Sequence, residues 1–553
     1  MAIRSRSSGK ENLNPVLPGK YVRWLMPSIE DLIFVALSGL LSFTTLSVRL
    51  LGDAGIGWHI RTGQLILATH AVPRVDPFSS TMAGHPWFAW EWLYDILVGW
   101  LDRFAGLNGV VFFTALIIAV TFSWSFRLLL RWSANFLVAL GLVLLAASAS
   151  MIHFLTRPHV LSWLFTVLWF WVLESYERQG YTGSPDARRH FPWLLPAVML
   201  VWVNVHGGFL VGLVLLGIYW LSAVRQWFRL REDRLEDALS KIQAGKRARA
   251  LVLVGILSAL ATLANPYGWR LHLHIYRYLS NRFLMDHIDE FQSPNFHGVA
   301  QKCFAALLML AFVAVVARKR ASSELRASGI LIVLFAMLSG LYASRNIPAS
   351  SLLLILVIGP WLSDAAQNLV YLFAKRRSLL ASQAVASPHF SQRMQVIESS
   401  LRGHLWPMAA VLLTAWIAFH GGRLGAKPLM HAHFSAKRFP VAAVNYMQNN
   451  HAEGPVLGPD SWGGYLIYRL YPRAKVTVDD RHDLYGEQFL KSYLKTLHAE
   501  PGWQNFLEEY PVRYVIIPKD SALASLLAAT ADWHQIYADE LAVIFVPTQS
   551  ESR

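Results

Sequence analysis

Cysteine is nearly absent: Cys303 is the only one in 553 residues, so no disulfide forms within the chain and the redox compartment stays open. Charge is scarce too, with 15% charged against 54% hydrophobic residues. Repeated apolar runs of about bilayer-crossing length then define an integral membrane protein. No internal repeat is evident, which counts against a transporter built from two related halves with broken helices. The basic residues 1–28 are not followed by a short apolar core and a small-residue cleavage site, so they read as a cytoplasmic N-terminus leading into a retained signal anchor. The net charge of +15 does not point to nucleic acid. Its excess sits in clusters between apolar runs, as loop charge does in membrane proteins.

That clustering sets a topology. The 22 Trp and 19 Tyr suit aromatic belts at the two bilayer interfaces. Arg4, Arg6, Lys10, Lys20 and Arg23 place the start of a first span, 30–51, in the cytoplasm, and residues 52–108 become an external loop. Within that loop FAWEWLYDILVGWLDRFAG carries Glu91, Asp95, Asp102 and Arg103 at helical spacing among aromatics, the pattern of a helix lying along the interface. Further runs at 109–126, 135–152, 160–174, 192–204, 209–223, 250–264, 302–317, 328–343, 347–363 and 406–420 bring the expected total to about eleven spans. Arg178, Arg188, Arg189 and the segment RQWFRLREDRLEDALSKIQAGKRARA then fall inside. Every polar motif that interrupts an apolar run (GDAGIGWHIR, TRPH, NVHGG, NPYGW, SRN) falls on the outer face. Polar groups at membrane depth are costly unless they face a cavity or each other, so these imply one shared, water-accessible site.

Asp53 stands at the outer end of the first span, followed by Gly55 and Gly57, which let the backbone turn tightly. Its carboxylate can act as a base, bind a metal, or cap the next helix. Arg61 offers a planar fork for phosphate oxygens, and His59 can hold a phosphate or shuttle a proton. Residues 421–553 change texture: GPVLGP, AKVTVDD, RYVIIP and LAVIFVP are short β-rich runs between helical patterns, which predicts a soluble α/β domain. SWGGYLIYRLYP begins with a glycine pair but lacks the dinucleotide fingerprint, so it reads as a packing turn. Asp479, Asp480, His482 and Asp483 in VDDRHDLYG are oxygen and nitrogen groups that could hold a divalent cation or serve as turn formers and salt-bridge partners.

The stretch GDAGIGWHIRTGQLILATHAVPRVDPFSSTMAGHPWFAWEWLYDIL resembles the first external loop of bacterial members of the C superfamily of membrane glycosyltransferases, polytopic enzymes that use polyprenyl-phosphate sugars. An acid after the first span, an amphipathic helix in the first loop and a soluble domain after the last span are all present. Where that family usually has two acids separated by one residue, Asp53 is followed by Ala54 and Gly55, and Glu91 with Asp95 could supply the second acid. The resemblance implies a GT-C-like helical membrane domain (29–420) with a C-terminal α/β domain (421–553) outside a bacterial inner membrane. It also implies transfer of a sugar from a polyprenyl-phosphate donor, a membrane lipid, to a glycan, lipid or protein acceptor. Asp53 would be the base, and the departing phosphate would face Arg61, Arg157 with His159, His206 and Arg345. Arg157 precedes Pro158, which favours an extended break that presents the guanidinium. Two further readings share the pattern: a non-catalytic envelope-polysaccharide assembly factor and a lipid-linked-sugar flippase.

Overall fold

The computed structural model describes residues 19–182, 192–230, 235–320, 326–378, 387–401 and 403–548. The basic segment 1–18 and the loop arginines Arg188 and Arg189 lie outside the described residues.

Hydrocarbon offers no water to backbone N–H and C=O groups, so each apolar run must satisfy them internally, as a helix does. Among the described residues six helices are long and apolar enough to cross a membrane: Tyr21–Phe43, Trp92–Arg131, Phe136–His153, Phe209–Arg229, Val299–Ala317 and Ser344–Leu369. Ala327–Tyr342 and Leu405–Phe419 are shorter apolar helices. His159–Thr182, Leu194–Trp202 and Leu235–Ala261 lie on the remaining expected runs. The chain is a helical, polytopic membrane protein with a C-terminal α/β region.

Two helices depart from the expected ranges, each for a local reason. The first-span helix ends at Phe43 rather than near 51, because Thr44 is extended (φ −113°, ψ −177°). Its hydroxyl donates to the Leu40 carbonyl (2.6 Å) and accepts from the Leu46 amide (3.2 Å). A short helix, Leu46–Leu50, follows and delivers Asp53. The interfacial segment and the next span form a continuous run, Trp92–Arg131, bent at Gly106 (φ 58°, ψ −158°), a conformation open mainly to glycine.

The C-terminal region begins with a small hairpin, β1 (Arg423–Leu424) and β2 (Lys427–Pro428). A five-stranded sheet follows: β3 (Gly454–Leu457), β4 (Ala474–Val476), β5 (Tyr514–Pro518), β6 (Trp533–Ala538) and β7 (Ala542–Pro547). Its order is β4-β3-β5-β7-β6, with β3 parallel to β4 and β5, and β7 antiparallel to β5 and β6. The β4 edge does not face solvent. The Ser80 amide donates to the Val476 carbonyl (2.8 Å) and the Thr81 hydroxyl to the Thr477 carbonyl (2.6 Å), so the first-loop segment covers the C-terminal end of this edge.

A buried ion cluster closes the same junction. Arg481 donates to Asp479 Oδ2 (2.6 Å) and to Asp76 Oδ1 (2.8 Å), with the arginine side chain 2% exposed and both acids at 0%. Its guanidinium lies 4.6 Å from the Trp87 ring centre. Helix Asp460–Leu470 docks on first-loop helix Ile56–Thr69 through Gly464, whose missing Cβ would collide with the Ala54 carbonyl. The glycine pair therefore serves packing, as expected, although it lies within the helix rather than ahead of it. One buried apolar cluster runs from Leu41 in the first span to Ile544 in the sheet.

Candidate functional site

The site grows from a close helix crossing. Gly63 of the first-loop helix lies against the Asp95 carbonyl and Gly99 against the Gly63 backbone, with no room for a Cβ at either. This brings His59 Nδ1 to 2.6 Å from Asp95 Oδ1 and His59 Nε2 to 3.6 Å from Glu91 Oε2. Trp58 stacks on the His59 ring with centroids 3.6 Å apart. Burial, reinforced by Arg157 and His206, holds the His59 imidazole well below its ordinary pKa, so it is neutral.

His206 approaches Glu91 from the other side, Nε2 to Oε1 3.9 Å. Its Nδ1 accepts from the Gly208 amide (2.9 Å) and contacts the Ser162 hydroxyl (2.8 Å). Burial keeps this ring neutral too. With Nδ1 accepting, the proton resides on Nε2, facing Glu91. Burial, against the pull of Arg157 and Arg345, pushes the Glu91 carboxyl up to about 8.

These groups line a cavity of about 110 Å³ that Arg157, Arg345, Glu290 and Asp480 also line. Arg157 donates from Nε to Asp53 Oδ1 (3.0 Å), from Nη2 to Asp53 and Asp480, and from Nη1 to Glu290 Oε1 (3.4 Å). Burial opposes ionisation of Glu290, but Arg157 and Arg345 outweigh it and bring the carboxyl down to about 2. Arg345 is less engaged, 4.0 Å from Glu290 and 4.8 Å from the Phe291 ring centre. His159 donates from Nε2 to the His153 carbonyl (2.8 Å) and stands between this cavity and a smaller one reaching toward Ala349.

Of the residues singled out in the sequence, His59, Glu91, Asp95, Arg157, His159, His206 and Arg345 share the cavity wall. Glu91 and Asp95 are buried. Asp53 sits one bond away, on Arg157. Arg61 does not reach the cavity. It donates from Nε to the Tyr468 carbonyl (2.9 Å) and from Nη1 to Gln64 (2.9 Å), because its side chain leaves the helix face that packs on the C-terminal region. The four candidate cation ligands diverge: Asp479 pairs with Arg481, Asp480 with Arg157, His482 with Asp460 (2.7 Å) and Asp483 with His274 (2.9 Å). They form no common centre, and among the described residues no cluster of three or more His, Cys, Asp or Glu could hold a metal ion.

Sequence reading missed Glu290 and gave Asp480 a different role. Glu290 lies in a 3-10 turn, Asp289–Phe291, in a polar segment that interrupts no apolar run. Its only sequence signal was an acid in a loop on the same face as the other motifs.

No family model matches the chain and no curated protein matches its sequence. Solved structures do. The Archaeoglobus fulgidus oligosaccharyltransferase tethered to an acceptor peptide with the NVT sequon aligns with a TM-score of 0.55 and 12% identity over 90% of this chain and 69% of that one. The AglB oligosaccharyltransferase of the same organism, in complex with an inhibitory peptide and a dolichol-phosphate, gives 0.53 and 11% over 95% and 74%. ArnT of Cupriavidus metallidurans bound to undecaprenyl phosphate gives a TM-score of 0.47 and 15% identity over 94% of this chain and 98% of that one. The chain shares the fold of these oligosaccharyltransferase structures.

Proposed function

We propose that the protein is a membrane glycosyltransferase that moves a sugar from a polyprenyl-phosphate donor to an acceptor, at the membrane face bearing the C-terminal region. The supporting observation is one small cavity lined both by proton-accepting groups and by guanidinium groups. The AglB complex with dolichol-phosphate supports the same lipid class for this fold.

In this reaction the acceptor oxygen forms a bond to the anomeric carbon as the bond from that carbon to the phosphate oxygen breaks. The acceptor proton goes to a base, and the polyprenyl phosphate leaves as an anion. Glu91 is the better base. Its carboxyl, at about 8, lies close to neutral pH, where a base is both available and strong enough. Asp53, first expected in that role, does not line the cavity, and its carboxylate is engaged by Arg157 and by the Gly55 amide (2.8 Å). Arg345 keeps free donors for the phosphate, whereas Arg157 has most of its N–H groups engaged by carboxylates. Loop charge supports placing this face outside the cytoplasm.

The test is binding of undecaprenyl phosphate against undecaprenol by native mass spectrometry, in wild type and Arg345→Ala. Selective binding of the phosphate that falls in the variant supports the reading. Equal binding of the alcohol, or an unaffected variant, refutes it.

A further inference from the structure

Three carboxylates from distant parts of the chain meet on one guanidinium. Asp53 follows the first span, Glu290 lies in the turn Asp289–Phe291, and Asp480 follows β4 in the C-terminal region. Four contacts join them to Arg157. The Trp58 indole donates to the other oxygen of Asp480 (3.0 Å), and Asp53 Oδ1 also accepts from the Gly55 amide. We propose that Arg157 is the resident cation of this site, a guanidinium standing where a divalent ion would otherwise be held, so that the three acids take such an ion only when Arg157 is removed.

Charge and geometry support this together. When all three carboxylates are ionised, they leave one net negative charge against Arg157 and Arg345, and removal of Arg157 leaves two, the charge that a divalent cation matches. Hard divalent ions need about six oxygens at roughly 2.0–2.6 Å around one centre. The planar fork of Arg157 instead holds its acceptors around its own periphery, at hydrogen-bond distances. The donor set therefore does not fit a divalent ion while the arginine is present. Burial disfavours the charged guanidinium, but Asp53, Asp480 and Glu290 together hold it protonated.

Manganese(II) binding, followed by electron paramagnetic resonance on detergent-purified protein, tests this without donor or transfer, so it stands apart from the glycosyltransferase reading. Wild type and Arg157→Lys are expected to hold no tightly bound ion, and Arg157→Ala about one per chain, with thermal stability raised by Mn²⁺ in that variant alone. Arg157→Gln serves as a second neutral variant should the alanine protein fail to fold. A stoichiometric ion in wild type that Asp53→Asn or Asp480→Asn removes would overturn the proposal. So would the absence of binding in folded Arg157→Ala and Arg157→Gln.

Discussion

If Glu91 takes the acceptor proton, transfer depends on its ionised form and rises with pH. With its carboxyl at about 8, roughly one molecule in eleven carries the base at pH 7 and roughly ten in eleven at pH 9, so turnover rises about tenfold across that interval. The sign follows from burial: the raised value means that the folded protein keeps the carboxyl protonated where a free glutamate is ionised. Glu91→Gln removes the proton acceptor while keeping the side-chain length beside His59 and His206. Turnover should fall about 10²- to 10⁴-fold, and the remaining activity should lose the rise toward pH 9. The assay is transfer of labelled sugar from a panel of polyprenyl-phosphate donors in proteoliposomes, with expression and melting behaviour as controls. A pH-independent wild-type rate over this range, or near-normal turnover in folded Glu91→Gln, refutes the assignment.

Other consequences are independent of that base. Arg345→Lys keeps the charge but loses the planar fork, so polyprenyl-phosphate affinity should fall about tenfold, as read from donor-concentration curves; unchanged donor dependence would leave Arg345 as a structural anchor. Arg481→Ala strands Asp76 and Asp479 without their buried partner and should cost about 3–5 kcal/mol, measured by denaturant unfolding, whereas a change near zero would mean that the junction holds without it. Asp480 titrates at about 7, raised by burial against the pull of Arg157. Its ionisation thus costs the folded state stability as pH rises from about 4 to 7, and the stability advantage of wild type over Asp480→Asn should narrow over that window in melting curves. Gly464→Val forces a side chain into the Ala54 backbone and should lower stability by about 1–3 kcal/mol, together with faster proteolysis of the C-terminal region.

The membrane class, the run of apolar helices and the change to an α/β texture near residue 421 were legible in the sequence, because each rests on local composition and periodicity. Burial in hydrocarbon forces helices wherever apolar runs are long enough, and loop charge marks their ends. Five of the cavity-lining residues, His59, Arg157, His159, His206 and Arg345, were legible for a related reason: a polar group that interrupts an apolar run is costly unless it has company. Tertiary structure decided the roles. Whether Asp53 faces a substrate or a guanidinium depends on Arg157, 104 positions away in sequence, and Asp480 comes from another 323 positions beyond that arginine. Arg61 and His59 lie two residues apart, so a helix points them in different directions, and only the docking of helix Asp460–Leu470 settled which one meets the cavity. Local pattern fixes which segments form and which side chains are polar. Long-range packing fixes which polar groups meet, and with that which carboxylate keeps its proton.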